Sequence, residues 1–323
     1  MKGAIRMKIL VTPTSMQPGR EIKALDGLKE ITQDIVYNTT GKPLAEDDLI
    51  EMLKDCDGYI AGLDFITKKV MDKCPKLKVI SRYGAGYDRV DIAAAKEKGI
   101  IVTNTPGVNA EAVGELAFGL MQSIARNIPY LNNQTKDGEW TRSTGIELKG
   151  KTIGILGLGA IGRVVARCAK GYDMNLIAYD PYINSAYCKK NNIGVGTFDE
   201  VISQSNFISL HIPLNEQTKH IINKENIAKM KAGVIIINTS RGGIVDENAA
   251  YQALKSKKIG GLGLDAFEEE PPEKSPLFGL DNVVVTPHTG AHTKEATDNM
   301  AYLSVKNLID IVKGRECPYV VNQ

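Results

Sequence analysis

Three polar residues stand where a short apolar run gives way to a loop. Arg241 follows the run in VIIINTSR, Glu270 lies five residues beyond Asp265 in LDAFEEEPP, and His288 ends VVVTPH. Ligands of open α/β sheets gather beyond the carboxyl ends of the strands, so parallel strands here would bring the three to one edge. Their chemistry is complementary. An imidazole gives or takes a proton near neutrality, and a carboxylate beside it stabilises the protonated ring. A guanidinium offers a planar fork that grips a carboxylate and polarises a carbonyl oxygen. The set suits reduction of a 2-keto acid, which needs a hydride, a proton for the developing alkoxide and a cation for the carboxylate. Backbone N–H groups of Gly84, Ala85 and Gly86 are further candidates to hold that carboxylate.

The hydride donor has its own signature in residues 152–180, TIGILGLGAIGRVVARCAKGYDMNLIAYD. A strand over 153–156 runs into Gly157, Gly159 and Gly162, a helix is expected from Arg163, and a second strand over 176–179 ends at Asp180. Gly157 allows the tight turn, Gly159 lets a pyrophosphate approach the backbone, and Gly162 lets the helix pack closely on the sheet. Ala160 and Ile161 supply the nearest amides at the positive end of the helix. Asp180, eighteen residues after Gly162, is placed to accept hydrogen bonds from an adenosine ribose. A 2′-phosphate there would meet like charge, so NAD is expected rather than NADP.

The elements that must position these groups alternate between strand and helix. Strands are expected over 9–11, 35–37, 59–61, 77–81 and 100–102, with helices over 20–29 and 46–54 and another from Asp91 that stops at Gly99. A longer helix over 109–126 bridges to the second half, and a polar stretch holding the only tryptophan, Trp140, leads to Lys149. Further strands are expected over 207–211, 234–238, 261–265 and 283–286, with Asp246 capping a helix that reaches Lys257. A helix over 294–312 returns to the first domain. The pattern predicts two flavodoxin/Rossmann-like doubly wound parallel-sheet α/β domains with a cleft between them. Residues 1–104 with 293–323 form one domain and 105–292 the other.

Composition excludes several other classes. The 323 residues are 43% hydrophobic and 24% charged, with a net charge of +2 and no block of like charges. Neither nucleic acid nor an anionic membrane is an expected partner. No leader or membrane span is expected. The five cysteines lack CxxC spacing, which points to reduced thiols in a cytoplasm and to no metal site. Position alone does not choose between His288 and His292, nor among Glu268, Glu269 and Glu270. Arg241 has an alternative partner in Asp246, and Asp180 an alternative task in capping backbone near Pro181.

The motifs SRYGAGYDRVDIAAAKEKGI, NTPGVNAEAVGELA, GKTIGILGLGAIG, SLHIPLNEQTKHII, INTSRGGIVDE, GLDAFEEEPP and TPHTGAHT, in that order over residues 77–292, resemble the D-2-hydroxyacid dehydrogenase family. The likeness is to its phosphoglycerate dehydrogenase and glyoxylate/hydroxypyruvate reductase branches. It implies an NAD-dependent oxidoreductase in which Arg241, Glu270 and His288 are catalytic. It also implies that Asp265 bonds the nicotinamide carboxamide and that His211, Pro213, Thr239, Ser240 and Gly290 line the cofactor site. The family's fold implies a substrate domain, and family members imply a homodimer. Gly62 and Leu63 stand where phosphoglycerate dehydrogenases often carry an Arg-Ser pair, whereas Arg82 matches a basic position of that branch. The chain stops at Gln323, so an appended serine-binding regulatory domain is not expected. Glu270 argues against a formate dehydrogenase, in which Gln takes that place. The same fold also serves as an NAD-sensing corepressor, a binding protein that retains the three catalytic residues.

Overall fold

The computed structural model describes residues 7–19 and 22–323. The chain divides into two compact units, Met1–Asn109 with Thr293–Gln323, and Ala110–His292.

The first unit holds five parallel strands, β1 (Lys8–Val11), β2 (Asp34–Tyr37), β3 (Gly58–Ala61), β4 (Val79–Arg82) and β5 (Ile101–Thr103), in the order β2-β1-β3-β4-β5. This is the flavodoxin-like order, with its switch point between β1 and β3. Every residue of β3 and β4 is buried, because helices cover both faces of the sheet. One cover is the helix Lys294–Val312, which runs over the residues expected. Thr293 caps it by accepting from Ala296 N, and Leu308 lies at 0% exposure against the sheet. A buried polar seam fixes its register: Ser81 Oγ donates to Ser304 O at 2.8 Å, and Asn307 Nδ2 donates to Asn104 O at 2.9 Å.

The second unit holds seven parallel strands, β6 (Thr152–Leu156), β7 (Asn175–Tyr179), β8 (Gly194–Val195), β9 (Phe207–Leu210), β10 (Val234–Asn238), β11 (Ile259–Leu264) and β12 (Val283–Val285). Their order, β12-β11-β10-β9-β6-β7-β8, reverses direction between β6 and β9. That reversal is the switch point where a doubly wound sheet opens a crevice for a ligand. The helix Ala110–Ala125 approaches the helix Ala160–Gly171 closely, since a Cβ on Gly114 would stand 2.5 Å from Val164 Cγ1. Among the described residues no helix is long and apolar enough to cross a membrane.

Several expectations need correction. The helix of the glycine loop begins at Ala160, three residues before Arg163, because Gly159 is its N-cap and Gly162 already lies in its first turn. The helix expected over 20–29 covers Ala24–Lys29, and residues 20 and 21 lie outside those described. The polar stretch before Lys149 contains a helix, Ile128–Lys136, that buries none of its residues. The helix after Asp246 ends at Lys255 rather than Lys257, whose φ of +59° leaves the helical region. Short helices at Lys68–Lys73, Ser185–Lys190, Phe198–Gln204 and Lys224–Lys229 were not anticipated.

Candidate active site

The carboxyl ends of β10, β11 and β12 carry the three polar residues to neighbouring loops of one sheet. Asn238, the buried last residue of β10, shapes the first loop. Its Oδ1 accepts from Ser240 N at 3.0 Å and its Nδ2 donates to Arg241 O at 2.6 Å, an Asx-type turn that presents Arg241. Asp246 accepts from Ala249 N at 2.9 Å as a helix cap. Gly242 packs backbone to backbone on the next loop, where a Cβ would stand 1.9 Å from Phe267 C. No other residue fits there.

That next loop delivers the acid. Glu270 Oε1 and Oε2 lie 2.9 and 3.0 Å from His288 Nδ1, and Oε1 also accepts from Phe267 N at 3.2 Å. Of the three consecutive glutamates, Glu268 faces His220 at 3.1 Å and Glu269 is exposed. With Nδ1 held by a carboxylate, Nε2 is the nitrogen left to serve a substrate. His288 sits at φ +49°, a conformation few non-glycine residues adopt. Its loop is held there by Asp265, 2% exposed, whose carboxylate accepts from Thr286 Oγ1 at 2.6 Å, Thr289 N at 2.7 Å and Gly290 N at 2.8 Å. Three of roughly four acceptor directions are therefore spent on the loop, and a Cβ on Gly290 would crowd the same carboxylate.

The switch point carries the glycine loop. A Cβ on Gly157 would stand 2.5 Å from His211 O, and one on Gly162 2.1 Å from Gly157 O, so both must be glycine. Gly159 has no described atom within 4 Å of a Cβ position and leaves its side of the loop open. The N–H groups of Ala160 and Ile161 begin a helix and have no partner within it. Asp180 accepts from Leu158 N through Oδ2 and from Tyr182 N through Oδ1, both at 2.8 Å, which ties it to this loop. Ser240 Oγ donates to Leu210 O, whereas Pro213 is exposed and its carbonyl accepts from Thr218 Oγ1 at 2.6 Å. Two buried polar atoms nearby lack partners among the described residues: Thr239 Oγ1 and His211 Nδ1.

A family model described as "D-isomer specific 2-hydroxyacid dehydrogenase, NAD binding domain" matches residues 118–290. The chain is 43% identical over 320 residues to a D-3-phosphoglycerate dehydrogenase of Methanocaldococcus jannaschii, covering 98% of this chain and 59% of that protein. It therefore spans about three fifths of that relative. It is 44% identical over 278 residues to a hydroxypyruvate reductase of Thermotoga maritima, covering 83% and 90% of the two chains. This chain belongs to the D-isomer specific 2-hydroxyacid dehydrogenase family. A D-lactate dehydrogenase of Aquifex aeolicus, solved with NAD and lactic acid, aligns with it at a TM-score of 0.85 and 29% identity over 98% of this chain and 99% of that one. The dehydrogenase is thus an NAD-dependent oxidoreductase by family.

Its residues fit that cofactor. Open space above Gly159, free helix N–H groups and the orphaned Thr239 and His211 atoms are what a dinucleotide would satisfy. His211 Nε2 lies 2.8 Å from Ser209 Oγ, and burial pushes the imidazole down to about 3 from 6.5. The unfolded chain gains this proton below about pH 6.5 and the folded chain does not, so stability should fall as pH drops through that window. Replacing His211→Gln should flatten the slope, as read from urea midpoints at about pH 7 and about pH 4.5. An unchanged slope would remove His211 from the acid response.

In the first unit the dehydrogenase departs from two readings. Gly84, at φ +137°, donates its N–H to Thr105 Oγ1 at 2.9 Å, so Thr105 and not a ligand takes that amide. Asn104 Nδ2 holds the same loop through Ala85 O at 2.7 Å. Arg82 is 3% exposed and spends N–H groups on Ala61 O at 2.7 Å, on Gly62 O and on Gly86 O at 3.0 Å. It knits the loops after β3 and β4 together. Thr105, Ala61 and Gly62 each lie about 20 residues from the residue they bond, so no short motif reports these contacts.

Proposed function

We propose that this dehydrogenase interconverts a small 2-keto acid and its 2-hydroxy acid with NAD(H). The observation that carries the reading is the His288–Glu270 pair, which commits Nδ1 and leaves Nε2 as the proton-transferring atom. Bound NADH supplies the hydride. His288 gives its Nε2 proton to the keto oxygen as negative charge develops, and takes it back in the reverse direction. Glu270 fixes the ring's orientation and balances its charge. Arg241 holds the substrate carboxylate and polarises the keto oxygen, and Ala85 and Gly86 are assigned as substrate-binding residues of the first unit. Domain assignments follow: 105–292 for the cofactor, 1–104 with 293–323 for the substrate. Asp265 is left one acceptor direction for the carboxamide, and His211, Pro213, Thr239, Ser240 and Gly290 line the cofactor.

An unphosphorylated substrate is favoured. Arg82, the cation that could stand in for the missing Arg-Ser pair, is buried on backbone carbonyls. NADH oxidation with glyoxylate, hydroxypyruvate, pyruvate and 3-phosphohydroxypyruvate tests this, and faster turnover of glyoxylate or hydroxypyruvate is expected. Turnover of the phosphorylated acid alone would overturn the preference. Silence on all four, with NADH bound, would point to the sensor or to a keto acid outside this set.

The Asp180 carboxylate is assigned the adenosine ribose and the rejection of NADPH. Asp180→Asn removes the charge and keeps an acceptor oxygen for one of the two amides, Leu158 N or Tyr182 N. The NADPH-to-NADH ratio of kcat/KM should rise by about tenfold or more. An unmoved ratio would place cofactor choice elsewhere.

The protein is further read as a cytoplasmic homodimer. Its five cysteines are free thiols, which suits a reducing compartment. Trp140 and Ile128 are 84% and 51% exposed, apolar surface that a second copy would cover. Light scattering at the mass of a single chain would contradict the dimer.

A further inference from the structure

His220 lies outside the machinery described so far, yet it touches both loops that carry it. Its backbone N–H donates to Gly243 O at 2.7 Å, two residues beyond Arg241. Its Nε2 lies 3.1 Å from Glu268 Oε1, two residues before Glu270. The residue is held at φ +51°, so one amino acid turns back to reach both strand-end loops. Glu268 is braced in turn. Its Oε1 accepts from Glu247 N at 3.2 Å, and its own N–H donates to Glu247 Oε1 at 2.8 Å. Burial pushes the Glu247 carboxyl up. Between these anchors the Gly242 and Phe267 backbones are in contact, so a shift of one loop moves the other.

We propose that His220 and Glu268 form a positioning clasp that keeps the Arg241 loop and the Glu270 loop in register, and thereby aims the His288–Glu270 pair. The inference rests on the reading that His288 transfers the proton. Neither clasp residue touches His288 in this arrangement, and both are more than a third exposed, so their loss leaves the core intact. What they supply is precision. A misplacement of about 1 Å in a proton-transfer geometry costs up to about a hundredfold in rate, and partial loosening of a loop costs less.

His220→Ala and Glu268→Ala should each lower kcat for keto-acid reduction about tenfold, with KM for the keto acid and for NADH within about twofold of the parent. His220→Gln and Glu268→Gln, which keep a donor and an acceptor across the same gap, should recover most of that loss. Urea midpoints of all four, measured alongside, should stay close to the parent. A purely structural role would lower the midpoint and move KM and kcat together, without rescue. Unchanged kcat in both Ala variants, with His288→Ala inactive, overturns the clasp alone, as does equal loss in the Gln variants. Full turnover by His288→Ala overturns both the clasp and the proton-transfer reading.

Discussion

His288→Ala is expected to lower kcat for keto-acid reduction by about 10²–10⁴-fold, while the Kd for NADH stays within about twofold. The size follows from the pairing of Nδ1 with both Glu270 oxygens, which leaves Nε2 as the other ring nitrogen for the substrate. Removing the ring removes the proton donor for the alkoxide and takes the imidazole away from Glu270. Glu270→Gln separates those effects, since an amide still accepts from Nδ1 but no longer balances the imidazolium. It should fall between the parent and His288→Ala. NADH binding is spared because the glycine loop and Asp180 belong to strand ends on the far side of the switch point. Loss of NADH affinity equal to the loss of kcat would show that His288 acts on the cofactor instead.

Arg241→Ala is the second large effect, about 10²–10³-fold in kcat/KM for the keto acid. A carboxylate left without its guanidinium loses a charge-assisted, two-pronged contact, and the keto oxygen loses its polarising neighbour. Arg241→Lys should restore only part of it, because an ammonium cannot present two parallel N–H groups. Asn238 and Gly242 shape the turn through backbone contacts, so the fold should survive either change. Steady-state kinetics with each variant and one keto acid separate the cases. A loss confined to KM for NADH would move Arg241 from the substrate to the cofactor.

Much of the architecture was legible because the chain advertises it locally. The helix Lys294–Val312 announces itself through Thr293 as a cap and a run of periodic apolar residues. The strands Phe207–Leu210 and Val234–Asn238 are buried on both faces and read as continuous apolar runs. Where local signals mislead, the reason is physical. Glycines at 157, 159 and 162 read as loop, yet the helix has begun at Ala160, because a phosphate-binding turn needs a helix N-terminus within it. The helix Ile128–Lys136 buries none of its residues and lies in a polar stretch with few apolar residues to mark it.

The polar residues follow the same division. Arg241, Glu270 and His288 stand out because each follows a strand, and the structure pairs the last two. The clamp of Asp265 on residues 286–290, the burial of Arg82 on carbonyls and the reach of His220 to Glu268 depend on chain segments far apart in sequence. No spacing rule reports them. Thr105 in particular takes the Gly84 amide that sequence reasoning had offered to a substrate.

The most direct measurement follows the hydride itself. NADH carrying deuterium on the transferring face of nicotinamide C4 is incubated with the protein and glyoxylate or hydroxypyruvate, and the product is examined by mass spectrometry. Deuterium bound to C2 of the 2-hydroxy acid, formed by the parent and lost in His288→Ala, is the expected result. An unlabelled 2-hydroxy acid, or no product while NADH is bound, would contradict hydride transfer to the keto carbon.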